Sequence, residues 1–170
     1  MSKSRLVWLV LISLLALVLR WRAALLLPVD FAEPSITSTA ASYAASLARG
    51  DLHGLLSTYD SAGGPSLVKL LYAIAYALRG TTSADLTLAR TVSVGFGTLL
   101  VAVLAWISPL AGFLLAIQTL TLKYASQAYL EAIPAFFALL AVLAADRSAD
   151  SQETIGRWTT LSAVAAGAAA

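Results

Sequence analysis

The sequence predicts an all-α fold: a multi-pass transmembrane helical bundle with an external loop that carries short interfacial helices. Hydrophobic residues make up 59% of the 170 residues and charged residues only 12%, about half the charged share of a soluble domain. The mean hydropathy is +0.83, and the apolar residues form several blocks separated by short polar stretches. These observations exclude soluble, single-anchor and disordered proteins.

The composition also excludes several kinds of chemistry. The chain contains no cysteine, which excludes a disulfide framework, a thiolate metal site and a cysteine nucleophile. One histidine and nine acidic residues leave carboxylates as the main candidate reactive groups. The net charge of +2 and the scattered basic residues do not form a nucleic-acid surface, so no nucleic acid is expected as a partner.

The first predicted span covers residues 6–28, which is long enough to cross a hydrocarbon core of about 30 Å. Lys3 and Arg5 precede it and predict a cytoplasmic N-terminus, and the block lacks the small-residue cleavage site of a signal peptide. Arg20 and Arg22 lie in its last third. Either both side chains extend to the membrane surface, or one of them faces an internal polar site.

Residues 29–85 are predicted to form an external loop, because the acids and small polar residues at its start cannot lie in lipid. Apolar residues at helical spacing predict a short surface helix over 35–49, which ends before Gly50. The segment from Pro65 to Leu78 is apolar apart from Lys69, but its 14 residues would span only about 21 Å. This length is more typical of an interfacial helix than of a span.

Three further spans and the beginning of a fourth follow the loop. Within the first of them, Gly95 and Gly97 provide a face that another helix can approach closely, and Pro109 and Pro134 suit the first turns of later helices. The last apolar segment reaches Ala170 after 13 residues, which predicts that residues 1–170 are the N-terminal transmembrane module of a longer protein. The predicted segments are 86–107, 109–122, 133–145 and one that begins at 158.

Three acids, Asp30, Glu33 and Glu131, lie next to predicted span ends. If the segment from Pro65 to Leu78 stays outside, two crossings separate the first loop from Glu131, and all three acids face the same compartment. If that segment crosses, they lie on opposite sides. The same-side arrangement predicts a catalytic site. The structural alternative is that Asp30 and Glu33 are solvated, and that Glu131 stabilises a helix N-terminus by about 0.3 to 1 kcal/mol.

The order of these elements resembles the N-terminal module of the GT-C superfamily of membrane glycosyltransferases. It is similar to the protein O-mannosyltransferase and aminoarabinose-transferase branch, whose members use polyprenyl-phosphate sugars. The resemblance covers nearly the whole chain and depends on the order of the stretches rather than on any single motif. The stretches are DFAEPSI (30–36), YAASLARGD (43–51), GPSL (64–67), LARTVSV (88–94) and YASQAYLEAIPAFF (124–137).

The resemblance implies a catalytic base among the acids of the first loop and a supporting acid at the start of a later span. By position these are Asp30 or Glu33, and Glu131. Asp30 is preferred as the base because it closely follows the first span, although Glu33 fits the family spacing better. The resemblance also implies cations that contact the carrier phosphate, for which Lys69 and Arg79 are the candidates.

The expected function is therefore transfer of a sugar from a polyprenyl-phosphate carrier to an acceptor hydroxyl or amide on the external face of the cell membrane. A base would accept the acceptor proton, cations would bind the departing phosphate, and direct displacement would invert the anomeric centre. The expected partners are the carrier, the lipid bilayer and an acceptor of unknown class. No cofactor is assigned with certainty, and a divalent metal is left open. The alternatives are a non-catalytic membrane scaffold and a transporter segment.

Overall fold

The computed structural model describes residues 3–57, 67–150 and 155–169, and every regular element in these ranges is an α-helix. The predicted all-α class is confirmed for this part of the chain. The helices are α1 (Lys3–Leu26), α2 (Glu33–Ala48), α3 (Leu52–Ser57), α4 (Leu67–Leu78), α5 (Leu86–Ile107), α6 (Pro109–Ile117), α7 (Thr119–Tyr124), α8 (Ala132–Asp150) and α9 (Ile155–Ala169).

Two of the described helices are long and apolar enough to cross a membrane. They are α1, with 24 residues, and α5, with 22 residues. Helix α5 has the predicted bounds, because the Asp85 carboxylate accepts a hydrogen bond from Leu88 N–H at its start and Ser108 has extended backbone at its end. The two helices pack through small and branched side chains that include Ala16, Val101 and Ala105.

The predicted span 109–122 is wrong as a single helix. The chain breaks at Gln118, whose ψ of 121° is extended, and this residue separates α6 from α7. Hydropathy gives no sign of such a break, because one glutamine in an apolar run is compatible with a continuous helix.

Other helix bounds differ by a few residues from those predicted. Helix α1 ends at Leu26, before Pro28, and α2 begins at Glu33, with Pro34 in its first turn. Helix α8 continues to Asp150, since polar residues can extend a helix beyond its apolar part, and α9 begins at Ile155. The start of the predicted segment at Pro65 lies outside the described residues.

The larger core lies between α2, α4 and α5. Its tyrosines are fully buried, and two of them anchor the helices through their hydroxyl groups. The Tyr72 hydroxyl lies 2.6 Å from the Ser93 hydroxyl and donates to the Tyr129 carbonyl at 2.9 Å, while the Tyr76 hydroxyl donates to the Asp85 carbonyl at 3.0 Å. Through these contacts α4 ties α5 to the segment that follows α7.

Only one of the two glycines predicted to permit close approach does so. A Cβ atom at Gly97 would lie 2.6 Å from Cβ of Ala125 and 3.2 Å from Nε of Arg20, both in other segments. A Cβ atom at Gly95 would meet no atom within 4 Å. The close contact between α5 and the chain after α7 therefore requires glycine at position 97.

We expect Gly97→Ala to lower the free energy of unfolding by about 1 to 3 kcal/mol, the usual cost of inserting a methyl group into a packed contact. The matched variant Gly95→Ala should retain that free energy or gain up to about 1 kcal/mol, because alanine has the higher helix propensity. Denaturant unfolding in detergent micelles, followed by circular dichroism, measures both. Equal unfolding free energies for the two variants would contradict the contact.

Candidate functional site

Two segments that are distant in sequence meet where α1 ends and α5 begins. One is the link from α1 to α2, and the other is the irregular chain over 125–131, between α7 and α8. The Ala128 N–H donates to Oε1 of Glu33 at 2.7 Å, and Nε2 of Gln127 donates to the Pro28 carbonyl at 3.2 Å. These bonds bring the three predicted acids to the same end of the bundle.

Glu33 is fully buried at this junction and both of its carboxylate oxygens are occupied. Arg90 binds it in a bidentate manner, with Nε 2.9 Å from Oε1 and Nη2 2.6 Å from Oε2. The Asp30 N–H donates to Oε2 at 2.9 Å, and the Ala128 N–H donates to Oε1. Such charge-assisted, bidentate pairing is among the strongest polar contacts in proteins, so Glu33 joins four parts of the chain.

Arg90 has a second set of partners at the end of α1. Its Nη1 donates to the carbonyls of Ala24 at 2.6 Å and Leu27 at 3.0 Å, and its Nη2 donates to the carbonyl of Pro28 at 3.1 Å. Carbonyl groups at a helix C-terminus lack intrahelical partners and carry partial negative charge, so a guanidinium satisfies them well. Arg90 thus fixes the exit of α1 and the start of α2 together.

The environment keeps Glu33 ionised. Burial alone would raise the pKa of its carboxyl, but the hydrogen bonds from Arg90 and from the backbone of Ala128 and Asp30 outweigh burial and hold this pKa below its ordinary value. Because all of its contacts are structural and no part of it is exposed, Glu33 is poorly placed to receive a proton from a substrate.

Asp30 has the opposite environment. Its carboxylate is partly exposed, accepts the Ala32 N–H at 3.4 Å and interacts with the hydroxyl of Tyr129. The Tyr129 hydroxyl is the main cause of a lowered pKa for Asp30. Burial opposes this shift, while the Ala32 N–H and the charge of Lys123 add to it. In return, Asp30 raises the pKa of Tyr129 to about 12. An ionised carboxylate therefore lies beside a protonated phenol, open to solvent.

Further polar and aromatic side chains lie near Asp30 or near its partner Tyr129. The Lys123 ammonium lies 5.5 Å from the centre of the Tyr124 ring, and the rings of Tyr124 and Tyr129 meet edge to face at 5.5 Å. Glu131 is exposed just before α8 and contributes to the raised pKa of Tyr129. We name the set of Asp30, Lys123, Tyr124, Tyr129 and Glu131 the Asp30 cluster.

A small pocket borders this cluster. Its volume is about 150 Å³, and its lining includes Glu131 and Tyr124 together with the buried Arg20 of α1 and the exposed Gln118. The pocket connects the Asp30 cluster with the break between α6 and α7.

The two predicted phosphate-binding cations lie on or just after α4. Lys69 is buried on the face of α4 that packs into the larger core, and burial lowers its pKa. Arg79 is exposed and forms a 3.8 Å ion pair with Asp85. Their proposed role with phosphate stays a prediction.

Three residues of the Asp30 cluster were not among the predicted site residues. Lys123, Tyr124 and Tyr129 lie within the eight residues before Glu131, in the polar interval between two predicted spans. That proximity along the chain was the available signal. Proximity to Glu131 does not predict that these residues lie near Asp30, because that pairing depends on how the link after α1 folds back.

The described residues contain no group of three histidine, aspartate or glutamate side chains that could hold a metal ion. Asp30 and Glu131 both raise the pKa of Tyr129, but the positive charge of Lys123 acts on Asp30. Divalent cations such as Mg²⁺ and Ca²⁺ take six or more oxygen ligands. These residues alone do not fit such an ion.

No protein-family model matches the chain, and comparisons with curated proteins and with solved structures give no match. The described fold and site define an all-helical protein that has two helices able to cross a membrane and a carboxylate–tyrosine cluster at one end of them.

Proposed function

We propose that the chain is a multi-pass protein of the cell membrane, with a cytoplasmic N-terminus and the Asp30 cluster at the external surface. The length and hydropathy of α1 and α5 support two crossings. Lys3 and Arg5 support the orientation. Large apolar side chains exposed along α1 support its contact with lipid; they include Leu6, Trp8, Leu11, Leu14 and Val18. Helices α2 and α4 then lie together at the outer interface.

Within this arrangement, the protein acts as a glycosyltransferase that moves a sugar from a polyprenyl-phosphate carrier to an acceptor hydroxyl or amide. The observation that carries this proposal is the Asp30 carboxylate, which is ionised, open to solvent and flanked by the Tyr129 hydroxyl and the Lys123 ammonium. A lipid-linked phosphate places its charged group at the depth where a transmembrane helix ends. The end of α1 is such a place.

The proposed reaction is a single displacement. The hydroxyl oxygen or amide nitrogen of the acceptor attacks the anomeric carbon while Asp30 takes the proton of that atom, and the bond from the carbon to the phosphate oxygen breaks. The electron pair leaves with the carrier phosphate, whose added negative charge is stabilised by Lys123. Tyr129 remains protonated and orients the Asp30 carboxylate, and Glu131 supports the site from the start of α8. Attack from the face opposite the phosphate inverts the anomeric centre.

Asp30 is preferred over Glu33 as the base because of their different contacts. The oxygens of Glu33 accept bonds from Arg90 and from two backbone N–H groups, so protonation would break a buried ion pair. Asp30 has a partly exposed carboxylate with a tyrosine donor beside it. It can accept a proton at much smaller structural cost.

A non-catalytic scaffold is the second candidate function. It is favoured by the Glu33–Arg90 network, which would hold the same helices together without any reaction. The two candidates differ in what they predict for Lys123. A transferase needs it to bind the carrier phosphate, whereas a scaffold does not, because Lys123 is exposed and lies outside that network.

We expect Lys123→Gln to raise the KM for the carrier by about 10-fold or more, since a hydrogen bond to a charged group contributes about 1.5 to 3 kcal/mol. Transfer from a polyprenyl-phosphate-linked hexose, measured in membranes that contain the protein, gives this KM. The matched control is Arg49→Gln, which removes one exposed positive charge from the end of α2. A wild-type protein that neither binds polyprenyl monophosphate nor transfers the hexose would favour the scaffold.

A further inference from the structure

The break between α6 and α7 leaves carbonyl groups without their usual helical partners. Gln118 N–H still donates to the Leu114 carbonyl at 3.1 Å, and helical bonding resumes with Leu122 N–H to the Gln118 carbonyl at 2.9 Å. In the described chain, no bond joins the N–H groups of Thr119 or Leu120 to α6. The carbonyls of Leu115 and Ala116 would have accepted those two bonds in a continuous helix.

The side chain of Arg20 donates hydrogen bonds to both of these carbonyls. Its Nη2 donates to the Leu115 carbonyl at 3.3 Å, and its Nη1 donates to the Ala116 carbonyl at 3.4 Å and to the Ala16 carbonyl of its own helix at 3.5 Å. Arg20 is 1% exposed although it lies within the apolar helix α1, and among the described residues no carboxylate pairs with it. Its partners are thus backbone carbonyls at a helix end, where positive charge is favoured.

We propose that Arg20 is a positioning residue that keeps the helix broken at Gln118 and thereby places the lysine and tyrosines of the Asp30 cluster. The guanidinium substitutes for two backbone N–H groups, so the break is tolerated where the surroundings are apolar. The consequence for sugar transfer rests on the proposed function, whereas the effect on the helix break does not.

Two contacts connect Arg20 with the chain that follows the break. Gly97 lies against both Nε of Arg20 and Ala125, the first residue after α7. Arg20 also lines the small pocket together with Gln118, Tyr124 and Glu131. A substitution at Arg20 therefore alters packing contacts of the segment that carries Tyr129 and Glu131.

Without the guanidinium, the carbonyls of Leu115 and Ala116 would lack donors, and the nearest replacements are the N–H groups of Thr119 and Leu120. These bonds form if ψ of Gln118 changes from extended to helical and α6 continues into α7. The Asp30 cluster would then lose its arrangement, because Lys123 and Tyr124 would rotate with the new helix.

The test measures the backbone conformation of Gln118 by NMR. The Cα chemical shift of Gln118, in isotopically labelled protein in detergent micelles, reports whether ψ is extended or helical. We expect Arg20→Leu to move this shift from the extended to the helical range. Arg22→Leu, which removes the same charge from an exposed site on the same helix, should leave it extended. An extended shift in Arg20→Leu would overturn the proposal.

Arg20→Lys is the second test variant, to be used if Arg20→Leu does not fold. A lysine keeps the charge but lacks the two separate donor groups of the guanidinium, so it can donate a good hydrogen bond to only one of the two carbonyls. We expect a Gln118 shift between the wild-type and helical values, together with a kcat for transfer at least about 10-fold lower, as small misplacements of catalytic groups cost up to 100-fold. An unchanged Gln118 shift in this variant also overturns the proposal. If the wild-type protein transfers no sugar, a changed Gln118 shift in the variant still supports Arg20 as the positioning residue, and the inactive wild type contradicts the proposed function.

Discussion

Glu33→Gln is expected to lower the free energy of unfolding by about 3 to 5 kcal/mol, which is the cost of removing one partner from a buried ion pair. The variant leaves the Arg90 charge buried between α1, α2 and α5 without its carboxylate. It also weakens the acceptor for the N–H groups of Asp30 and Ala128. Denaturant unfolding in detergent measures the loss. The matched variant Glu131→Gln alters an exposed side chain and should stay within about 0.5 kcal/mol of wild type.

The same carboxylate predicts how stability depends on pH. The pKa of Glu33 is lower in the folded protein than in the unfolded chain. Its contribution is therefore fully present above the unfolded pKa and is lost as the pH falls through the folded pKa. Glu33→Gln should flatten this part of the stability profile. If the variant unfolds at wild-type denaturant concentrations and keeps the wild-type acid dependence, Glu33 does not hold the junction.

Asp30→Asn is expected to lower the rate of sugar transfer by about 10²- to 10⁴-fold, the usual effect of losing a general base. Binding of the carrier should survive, since the substitution leaves Lys123 in place. Folding should survive too, because the asparagine oxygen can still accept from Ala32 and Tyr129. Initial rates of transfer from a polyprenyl-phosphate-linked hexose measure the effect. Asp146→Asn is the matched control, because Asp146 is an exposed aspartate on α8.

Two other outcomes would reassign these roles. If Asp30→Asn retains most of its activity and Glu33→Gln folds normally but is inactive, the roles of the two acids are exchanged. If both variants fold and transfer sugar at the wild-type rate, the glycosyltransferase proposal loses its main support.

The sequence predicts helices well where local signals mark both ends. Helix α5 is an apolar run with an aspartate cap before it and a serine–proline pair after it, and its bounds agree with the prediction. The break at Gln118 could not be predicted, because the donors that stabilise it come from Arg20, about 95 residues earlier in the chain. The sequence left open whether Arg20 and Arg22 both extend to the membrane surface or one of them faces an internal polar site. In the structure Arg20 is buried and donates to backbone carbonyls of α6, whereas Arg22 is exposed.

For the candidate site too, the sequence predicts some features and not others. The positions of all three acids next to predicted span ends mark them as candidates, but nothing in the sequence indicates the different environments of Asp30 and Glu33. The two acids are three residues apart, and what separates them is Arg90, 57 residues beyond Glu33. A sequence pattern marks acids at helix ends; which of them is neutralised by a buried arginine depends on tertiary packing.

The central claim is that Asp30 carries out chemistry while Glu33 holds the fold. The most direct measurement is the transfer rate per folded molecule of Asp30→Asn and Glu33→Gln, with the folded fraction determined in the same membranes from resistance to thermal aggregation. We predict that Asp30→Asn is folded and nearly inactive, whereas Glu33→Gln loses folded protein and its remaining folded molecules transfer sugar at close to the wild-type rate. Folded, active Asp30→Asn alongside folded, inactive Glu33→Gln would contradict the claim.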